Sequence, residues 1–298
     1  STGAAIKNLG IGENSIIEGG DGTGSLVGNM KGGIIENCYN EGLVTGIGGS
    51  FGTGGLIGVG EYGKITNCYN TGMVKGVSDV GGIVGYVDKN FTIDNCYNCG
   101  MINASGLFVG GLVGLMYAGT ITNSYNIGMI SDGPLFVNAI VGATDMDPFI
   151  IKNCYYSKEL TNIGEEITNG ISEKSVEEMK AASFITLLNG GQNPIAWTAD
   201  TRNINGGFPI LVWQSSPVTG IQNANEKTDC NIYVVDKSIV VECSENVPCQ
   251  MNVINLNGKI INSQTFLQNN SLNITDSGIY IVTVNINGQQ YTSKVVIK

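Results

Sequence analysis

The sequence predicts an all-β protein: a parallel β-solenoid of about five coils of 28–30 residues, a small α+β cap at its end, and a C-terminal antiparallel β-sandwich. The first observation is a phrase, Ile-x-Asn-Cys-Tyr-Asn, that recurs every 28 to 30 residues, a period typical of solenoids. The second is composition, since 44 of the 298 residues are glycine while only 13% are charged. The third is a run of alternating apolar residues after residue 228, with Asn-Gly turns at 257–258 and 287–288.

The repeated phrase predicts where the solenoid lies. It occupies residues 35–40, 65–70, 93–98, 121–126 and 151–156, with an eroded copy at 6–9. Each coil holds three short apolar pieces, which in the second coil are 55–58, 64–70 and 72–76. Pieces this short, broken by glycine and asparagine, are expected to pair with the same piece one coil on. We therefore expect parallel sheets over residues 1–160, with rungs about 4.8 Å apart.

Stacked coils would align each repeat position in a column. The isoleucines of the phrase become a core column, and the cysteines become small apolar core residues rather than disulfide partners. These cysteines are Cys38, Cys68, Cys96 and Cys154, with Ser124 in the remaining place. The first asparagine of each phrase is predicted to take the left-handed conformation at a corner and to hydrogen-bond the coils above and below. This predicted ladder is Asn37, Asn67, Asn95, Asn123 and Asn153.

The tyrosines of the phrase form a column with two interpretations. They are Tyr39, Tyr69, Tyr97, Tyr125 and Tyr155. Facing inward, they are core residues whose hydroxyls are satisfied at an edge. Facing outward, they form an aromatic strip suited to sugars or to a partner protein. We favour the inward or purely structural interpretation, while the outward one makes these five tyrosines the candidate binding residues.

The repeat resembles a known family. Gly-Gly-Leu-Val-Gly-like pieces followed by Ile-x-Asn-Cys-Tyr-Asn-x-Gly are similar to the GLUG repeat of bacterial cell-surface and secreted proteins. The resemblance covers roughly residues 1–160 and implies a scaffold, with adhesive or protease roles in several family members. The chain departs from the pattern at Ser124, at Asn138-Ala139 in place of the double glycine, and at residues 156–158, where the array ends.

Residues 161–215 are predicted to be a helix-and-strand cap over the open end of the solenoid. Ser175 and Glu178 form a capping box that opens a helix, which a Gly-Gly pair would stop. Two strand-like pieces, 196–198 and 207–213, hold the only tryptophans of the chain. Such a cap is expected because the last coil otherwise leaves strand edges and apolar surface in water.

The remainder of the chain is predicted to be a polar linker, 216–227, and a seven-stranded β-sandwich, 228–298. Residues 253–259, 277–282 and 294–298 are similar to motifs of the C-terminal sorting domain of the Bacteroidetes type IX secretion system. The resemblance implies that secretion or surface-anchoring machinery is a partner of this domain. It also implies that the protein is secreted from, or displayed on the outer surface of, a Gram-negative cell.

The composition excludes several functional classes. The chain has no histidine, which removes Ser-His-Asp and Cys-His catalysis and imidazole metal sites, and it has no phosphate-binding loop. We predict no catalytic residue, no metal site and no cofactor. The net charge of −10 argues against nucleic acid as a partner. No apolar run is long enough for a transmembrane helix, and Ser1 does not open a signal peptide.

Several cysteines leave alternatives open. Cys96 and Cys99 form a C-x-x-C with no second pair at metal spacing, which is a weak redox or zinc pattern. Cys243 and Cys249 flank a loop and could form a bridge, whereas Cys230 has no assignment.

The acids allow an enzymatic alternative. A glycosidase needs two carboxylates about 5 to 9.5 Å apart. Asp145 with Asp147 is the nearest local pair, and Asp94 shares its repeat position with Glu36 and Lys152. We interpret these groups as solvated charge.

These observations predict a non-catalytic cell-surface or secreted protein whose solenoid presents a binding face for adhesion or glycan recognition. The expected partner is a glycan or a host or bacterial surface protein. One alternative is a carbohydrate-active β-helix enzyme, a polysaccharide lyase or glycosidase. Another is a spacer that displays an N-terminal domain, because we expect further chain upstream of Ser1.

Overall fold

The structure is a computed structural model that divides into two compact units, residues 1–215 and 216–298. It describes residues 3–47, 51–131, 135–145, 148–165, 169–215, 230–235, 237–243, 248–255, 259–267, 269–286 and 289–297. The predicted linker, 216–227, and the two Asn-Gly turns lie outside these described residues.

The first unit is a parallel β-solenoid of about five coils, as predicted. Consecutive isoleucines of the phrase face each other in register, Ile6 to Ile35 to Ile65, and on through Ile93 and Ile121 to Ile151. The tyrosines follow the same register from Tyr39 to Tyr155. The 28- to 30-residue spacing therefore corresponds to one turn of backbone.

The first three full coils have five short strands each where the sequence predicts three pieces, whereas in the next two coils the phrase is one continuous strand, Gly119–Asn126 or Phe149–Tyr156. In the second coil the five strands are Phe51–Gly54, Ile57–Glu61, Lys64–Thr66, Tyr69–Asn70 and Val74–Gly76. The predicted phrase splits in two because its first asparagine turns the chain, with φ near +53° at Asn67. The strand Phe51–Gly54 was missed because its glycines hide the alternation on which strand prediction depends.

Stacking these strands gives four parallel sheets. The phrase sheet holds Ala5–Lys7, Gly10–Ile11, Ile34–Glu36, Tyr39–Asn40, Lys64–Thr66, Tyr69–Asn70, Phe91–Asp94, Tyr97–Asn98, Gly119–Asn126, Phe149–Tyr156 and Ile171–Glu173. A second sheet holds Ile16–Gly19, Leu43–Gly46, Val74–Gly76 and Ile102–Ala104. A third holds Thr23–Gly24, Phe51–Gly54, Ser78–Gly81, Leu107–Gly110 and Leu135–Asn138. The fourth holds Val27–Lys31, Ile57–Glu61, Val84–Asp88, Val113–Met116 and Val141–Thr144.

The coil interior is packed by the isoleucines and cysteines of the phrase against aliphatic residues of the fourth sheet. Ile65, Cys68 and Ile93 are fully buried there. Burying an isoleucine side chain contributes roughly 1.5–3 kcal/mol. One such residue per coil therefore stabilises the stack.

The double glycine of the repeat makes room for a second asparagine column inside the coil. A Cβ atom on Gly111 would lie 2.1 Å from the Nδ2 atom of Asn126. Where Tyr156 replaces this asparagine, Ala139 replaces the glycine. The departure from glycine at Ala139 therefore coincides with the loss of the asparagine that the glycine accommodates.

The helices of the cap differ from the sequence prediction. The helix opens with the predicted capping box at Ser175 but consists of two helices, Val176–Lys180 and Ala182–Asn189, separated by extended Ala181. The break lets Met179 and Phe184 face the same surface, which a continuous helix would place about 140° apart. A short helix, Lys158–Thr161, precedes the cap.

The second of the two predicted cap strands is shorter than expected. The cap strands are Trp197–Thr198 and Ile210–Leu211, and the chain continues into the one-turn helix Val212–Ser215, which holds Trp213. The strand Ile171–Glu173 adds a further parallel rung beyond the last repeat.

The second unit contains the seven predicted strands, arranged in two antiparallel sheets. One sheet holds Cys230–Val235, Ser238–Cys243 and Asn269–Asn273, and the other holds Pro248–Asn255, Ile260–Leu267, Gly278–Ile286 and Gln289–Ile297. Ile239 and Val241 of the first sheet share one core with Val253 and Val282 of the second.

Candidate binding face

The tyrosine column points out of the coil and is covered by the cap. Cys68 and Asn70, on either side of Tyr69, belong to the coil interior, so the tyrosine between them points the other way. The tyrosines belong to a separate core with Phe184 and Trp197 of the cap. The cap was predicted over the open end, and its first part does bond the last coil there, through the strand Ile171–Glu173 and the carboxylate of Glu165. Its later part, from Met179 to Leu211, packs instead on the tyrosine column at the side of the solenoid.

Two tryptophans of the cap pack directly on the tyrosine column. Trp197 lies 6.0 Å from Tyr97 and 5.4 Å from Tyr125 between ring centroids, and is fully buried. Trp213 stacks 5.8 Å from Tyr69 and donates its indole N–H to the carbonyl oxygen of Asn67 at 2.9 Å. The column is therefore an intramolecular docking surface.

The cap also satisfies two of the tyrosine hydroxyls. Tyr125 donates to the carbonyl oxygen of Pro209 at 2.6 Å and accepts from Asn205 at 2.7 Å. The amide of Gln214 bonds the hydroxyl of Tyr97 at 2.9 Å. Burial raises the pKa of Tyr97 and of Tyr125 well above the ordinary tyrosine value. These hydroxyls therefore remain protonated and are withdrawn from any external ligand.

The corner asparagines all adopt the left-handed conformation, with φ between 51° and 53°. Their side chains do not form one continuous ladder. Asn37 donates to Asn8 and Asn153 donates to Asn123, but the amide of Asn95 pairs with Gln192 of the cap. The predicted column is interrupted because the cap competes for its amides.

The continuous ladder lies at the last asparagine of the phrase, which the sequence analysis did not single out. Asn40, Asn70, Asn98 and Asn126 are fully buried and joined by Nδ2 to Oδ1 bonds of 2.8, 2.8 and 2.9 Å. Each side chain also closes a turn with the glycine two residues on, as Asn98 does with Gly100. The recurring Gly-Gly pair, which leaves room for this column, was the sequence feature from which the ladder could have been predicted.

The repeat cysteines Cys38, Cys68, Cys96 and Cys154 are fully buried in the coil interior. Each Sγ contacts the carbonyl of the residue two before it, as Cys68 does with Thr66 at 3.1 Å, and Ser124 makes the same bond at 2.7 Å. Cys96 belongs to the coil interior whereas Cys99 packs against the tyrosine core, so the C-x-x-C pair faces opposite ways.

The acids considered for hydrolysis are engaged elsewhere. Asp94 accepts from Thr122 at 2.7 Å and pairs with Lys64 at 3.4 Å. Glu36 pairs with Lys7 at 2.7 Å. Asp147 lies outside the described residues. Within the ranges described above, no cluster of three or more acidic or cysteine side chains is arranged to hold a metal ion.

A different surface carries one exposed and three partly exposed aromatic residues. We call it the corner face and define it by Asp79, Tyr86, Phe108, Tyr117 and Phe136. The backbone of the third sheet sets residues 79, 108 and 136 in register, one per rung. The phenylalanine rings stack with centroids 5.3 Å apart, and the two tyrosine rings meet edge to face at 5.5 Å. Phe136 exposes 59% of its surface.

Phe108 and Phe136 occupy a strained backbone position. Both have φ of 59°, where the first two coils have Gly22 and Gly52 with φ of 70° and 74°. A bulky side chain in this conformation costs of the order of 1–3 kcal/mol. Folding does not require these rings, because glycine occupies the same position in the first two coils. Such outliers concentrate at functional sites.

The corner face is also acidic. Burial raises the pKa of Asp79 to about 6. Burial and the charges of Asp88 and Asp79 raise the pKa of Tyr86 to about 12, and Tyr117 hydrogen-bonds Asp145. Aromatic surface and hydrogen-bonding oxygens therefore lie side by side over three coils.

We predict that Asp79→Asn stabilises the protein at pH 7 but not at pH 4. The pKa of Asp79 is higher in the folded state than its unfolded value of 3.8, so wild-type stability falls as pH rises from about 4 to 6. Asparagine tolerates the left-handed conformation and removes this loss. The expected gain is about 1 kcal/mol, reduced by solvent screening. Urea unfolding at both pH values measures it, and an equal gain at pH 4 would contradict the assignment.

Comparison with known families supports this architecture. Residues 49–75 match the GLUG motif, and residues 234–298 match the secretion system C-terminal sorting domain. No curated protein and no solved structure matches the chain significantly. Among the described residues, no helix is long and apolar enough to cross a bilayer.

Proposed function

Because the chain is a GLUG-repeat protein with a C-terminal sorting domain, and so a secreted or outer-surface protein of Bacteroidetes, we propose that its solenoid is a non-catalytic binding module. Its ligand is a neutral polysaccharide that lies along the corner face. The observation that carries the proposal is the presence of Phe108 and Phe136 at a strained corner where the first two coils have Gly22 and Gly52.

The chemistry of the corner face fits a sugar chain. Aromatic rings provide apolar surface for the C–H faces of sugars, and the neighbouring carboxylates and phenols can accept or donate bonds to hydroxyl groups. The carboxylates of Asp79 and Asp145 would repel a polyanionic glycan, whereas the charge of Asp88 is offset by Lys89 at 2.9 Å. The tyrosine column does not bind the polysaccharide in this proposal, because the cap covers it.

A glycan array probed with the whole chain tests the proposal. We expect binding to neutral polysaccharides, weakened roughly 30-fold in the double variant Phe108→Ala, Phe136→Ala, since each ring contributes about 1 kcal/mol. The matched control is Tyr62→Ala, because Tyr62 is an aromatic residue with φ of 52° and 60% exposure at another corner. The control variant should bind like the wild type.

The alternatives predict other outcomes. Binding that survives the double variant would place the ligand elsewhere, and a spacer would bind nothing on the array. An enzyme would release new reducing ends or unsaturated sugars from the bound polysaccharide. For that case Asp79 is the acid to substitute, because its pKa of about 6 suits proton transfer. Asp79→Asn would then stop product release while binding persisted.

A further inference from the structure

Three buried cysteines meet in the core of the sandwich, and neither the binding proposal nor the sorting match uses them. Cys230 and Cys243 stand directly opposite each other on neighbouring antiparallel strands, with their Sγ atoms 3.3 Å apart. Cys249, at the start of a strand in the other sheet, shares the same core and contacts the thiol of Cys243. Cys243 is thus the central member of the cluster.

We propose that Cys230 and Cys243 form a disulfide in the exported protein, while Cys249 keeps its thiol. Facing positions on antiparallel strands place Cα atoms about 4.5–5.5 Å apart, within the range that a disulfide spans. Rotation of the two side chains brings the sulfur atoms into bonding distance. The sequence suggested a bridge between Cys243 and Cys249, but this pair would have to join the two sheets.

The reaction is a thiol–disulfide exchange with an external disulfide. One cysteine thiolate attacks the oxidant, which releases its first thiol, and the second cysteine then displaces the other. The two cysteines together lose two protons and two electrons, and the oxidant becomes two thiols. An extracellular protein meets such oxidants, whereas a cytosolic one is kept reduced.

Burial of the two thiols controls the rate at which the disulfide forms. It raises the pKa of both the Cys230 and the Cys243 thiol, so little thiolate exists near pH 7. The folded, reduced protein should therefore oxidise slowly at pH 7 and faster at pH 9. A chain that folds in an oxidising compartment escapes this barrier.

Peptide mapping distinguishes the pairings. The whole chain is produced in an oxidising periplasm, its remaining thiols are alkylated in denaturant without reduction, and the protein is cut with trypsin. Cleavage after Lys227, Lys237 and Lys259 places Cys230 on one peptide and both Cys243 and Cys249 on the next. The expected disulfide therefore joins two peptides, whereas a bridge between Cys243 and Cys249 stays within one.

Single variants identify the partner of Cys230. The crosslink between peptides should survive Cys249→Ser and disappear in Cys243→Ser, with Cys249 alkylated in the wild type. Alkylated Cys230 and Cys243, an internal bridge, or a crosslink lost in Cys249→Ser would each overturn the proposal. The repeat cysteines in the solenoid are expected to be alkylated throughout.

A second test compares the melting temperature of the wild-type protein before and after reduction. Reduction of the mapped wild-type protein should lower the melting temperature of the sandwich by on the order of 10 °C, because the bond closes a loop of thirteen residues in the unfolded chain. Far-ultraviolet circular dichroism measures it, and an unchanged melting profile after reduction would contradict the bond's structural role.

Discussion

Trp197→Ala is expected to destabilise the first unit by about 4 kcal/mol, the largest effect of any single substitution considered for this protein. The side chain is fully buried, contacts Tyr97 and Tyr125, and donates its indole N–H to Asn95 and to the carbonyl of Asn123 at 3.2 and 3.1 Å. Removing it leaves a cavity between the cap and the tyrosine column and removes two hydrogen bonds.

Urea unfolding followed by the fluorescence of Trp213 measures this effect, since both tryptophans of the chain lie in the first unit. Ile195→Ala is the matched control, because Ile195 is two residues away and 57% exposed. We expect the control to change stability by less than about 0.5 kcal/mol. A Trp197→Ala protein as stable as the control would mean that the cap does not depend on this contact.

Asn98→Ala is expected to cost about 3 kcal/mol. Asn98 is fully buried in the continuous ladder, where it accepts from Asn70 at 2.8 Å and donates to Asn126 at 2.9 Å. It also bonds both backbone groups of Gly100. Alanine leaves these buried polar groups without a partner, and each such group costs roughly 1–3 kcal/mol, although the costs do not add fully.

The control for the ladder is Asn103→Ala, an exposed asparagine on the next strand of the same coil. Its substitution should be close to neutral. If Asn98→Ala and Asn103→Ala unfold at the same urea concentration, the buried ladder is not a source of stability.

The register along the solenoid could be predicted because it is periodic. Stacking requires that equal positions meet, so the spacing of Ile35, Ile65 and Ile93 alone places each strand against its neighbour. The left-handed corner at Asn67 follows from the same pattern. Strands of the sandwich such as Ser238–Cys243, Pro248–Asn255 and Gly278–Ile286 could also be predicted, since each alternates buried and more exposed residues.

The surroundings of the tyrosine column could not be predicted in the same way. The contact of Trp197 with Tyr125 joins residues far apart in sequence, and no periodicity relates them. The corner face was missed because its repeat position varies, from glycine in the first two coils to Asp79, Phe108 and Phe136 in the next three, and the strand beside it was not recognised. Both features are decided by packing across the solenoid rather than along it.

The cover over the tyrosine column is the central claim, and nitration of the intact protein tests it most directly. Tetranitromethane modifies accessible phenolates, and peptide mass spectrometry reports each site. We expect Tyr62, with 60% of its surface exposed, to be modified first, and Tyr97 and Tyr125, which are 1% and 0% exposed, to react only after unfolding in urea. Nitration of Tyr97 at the rate of Tyr62 in the folded protein would show that the column is open to solvent and would contradict the account.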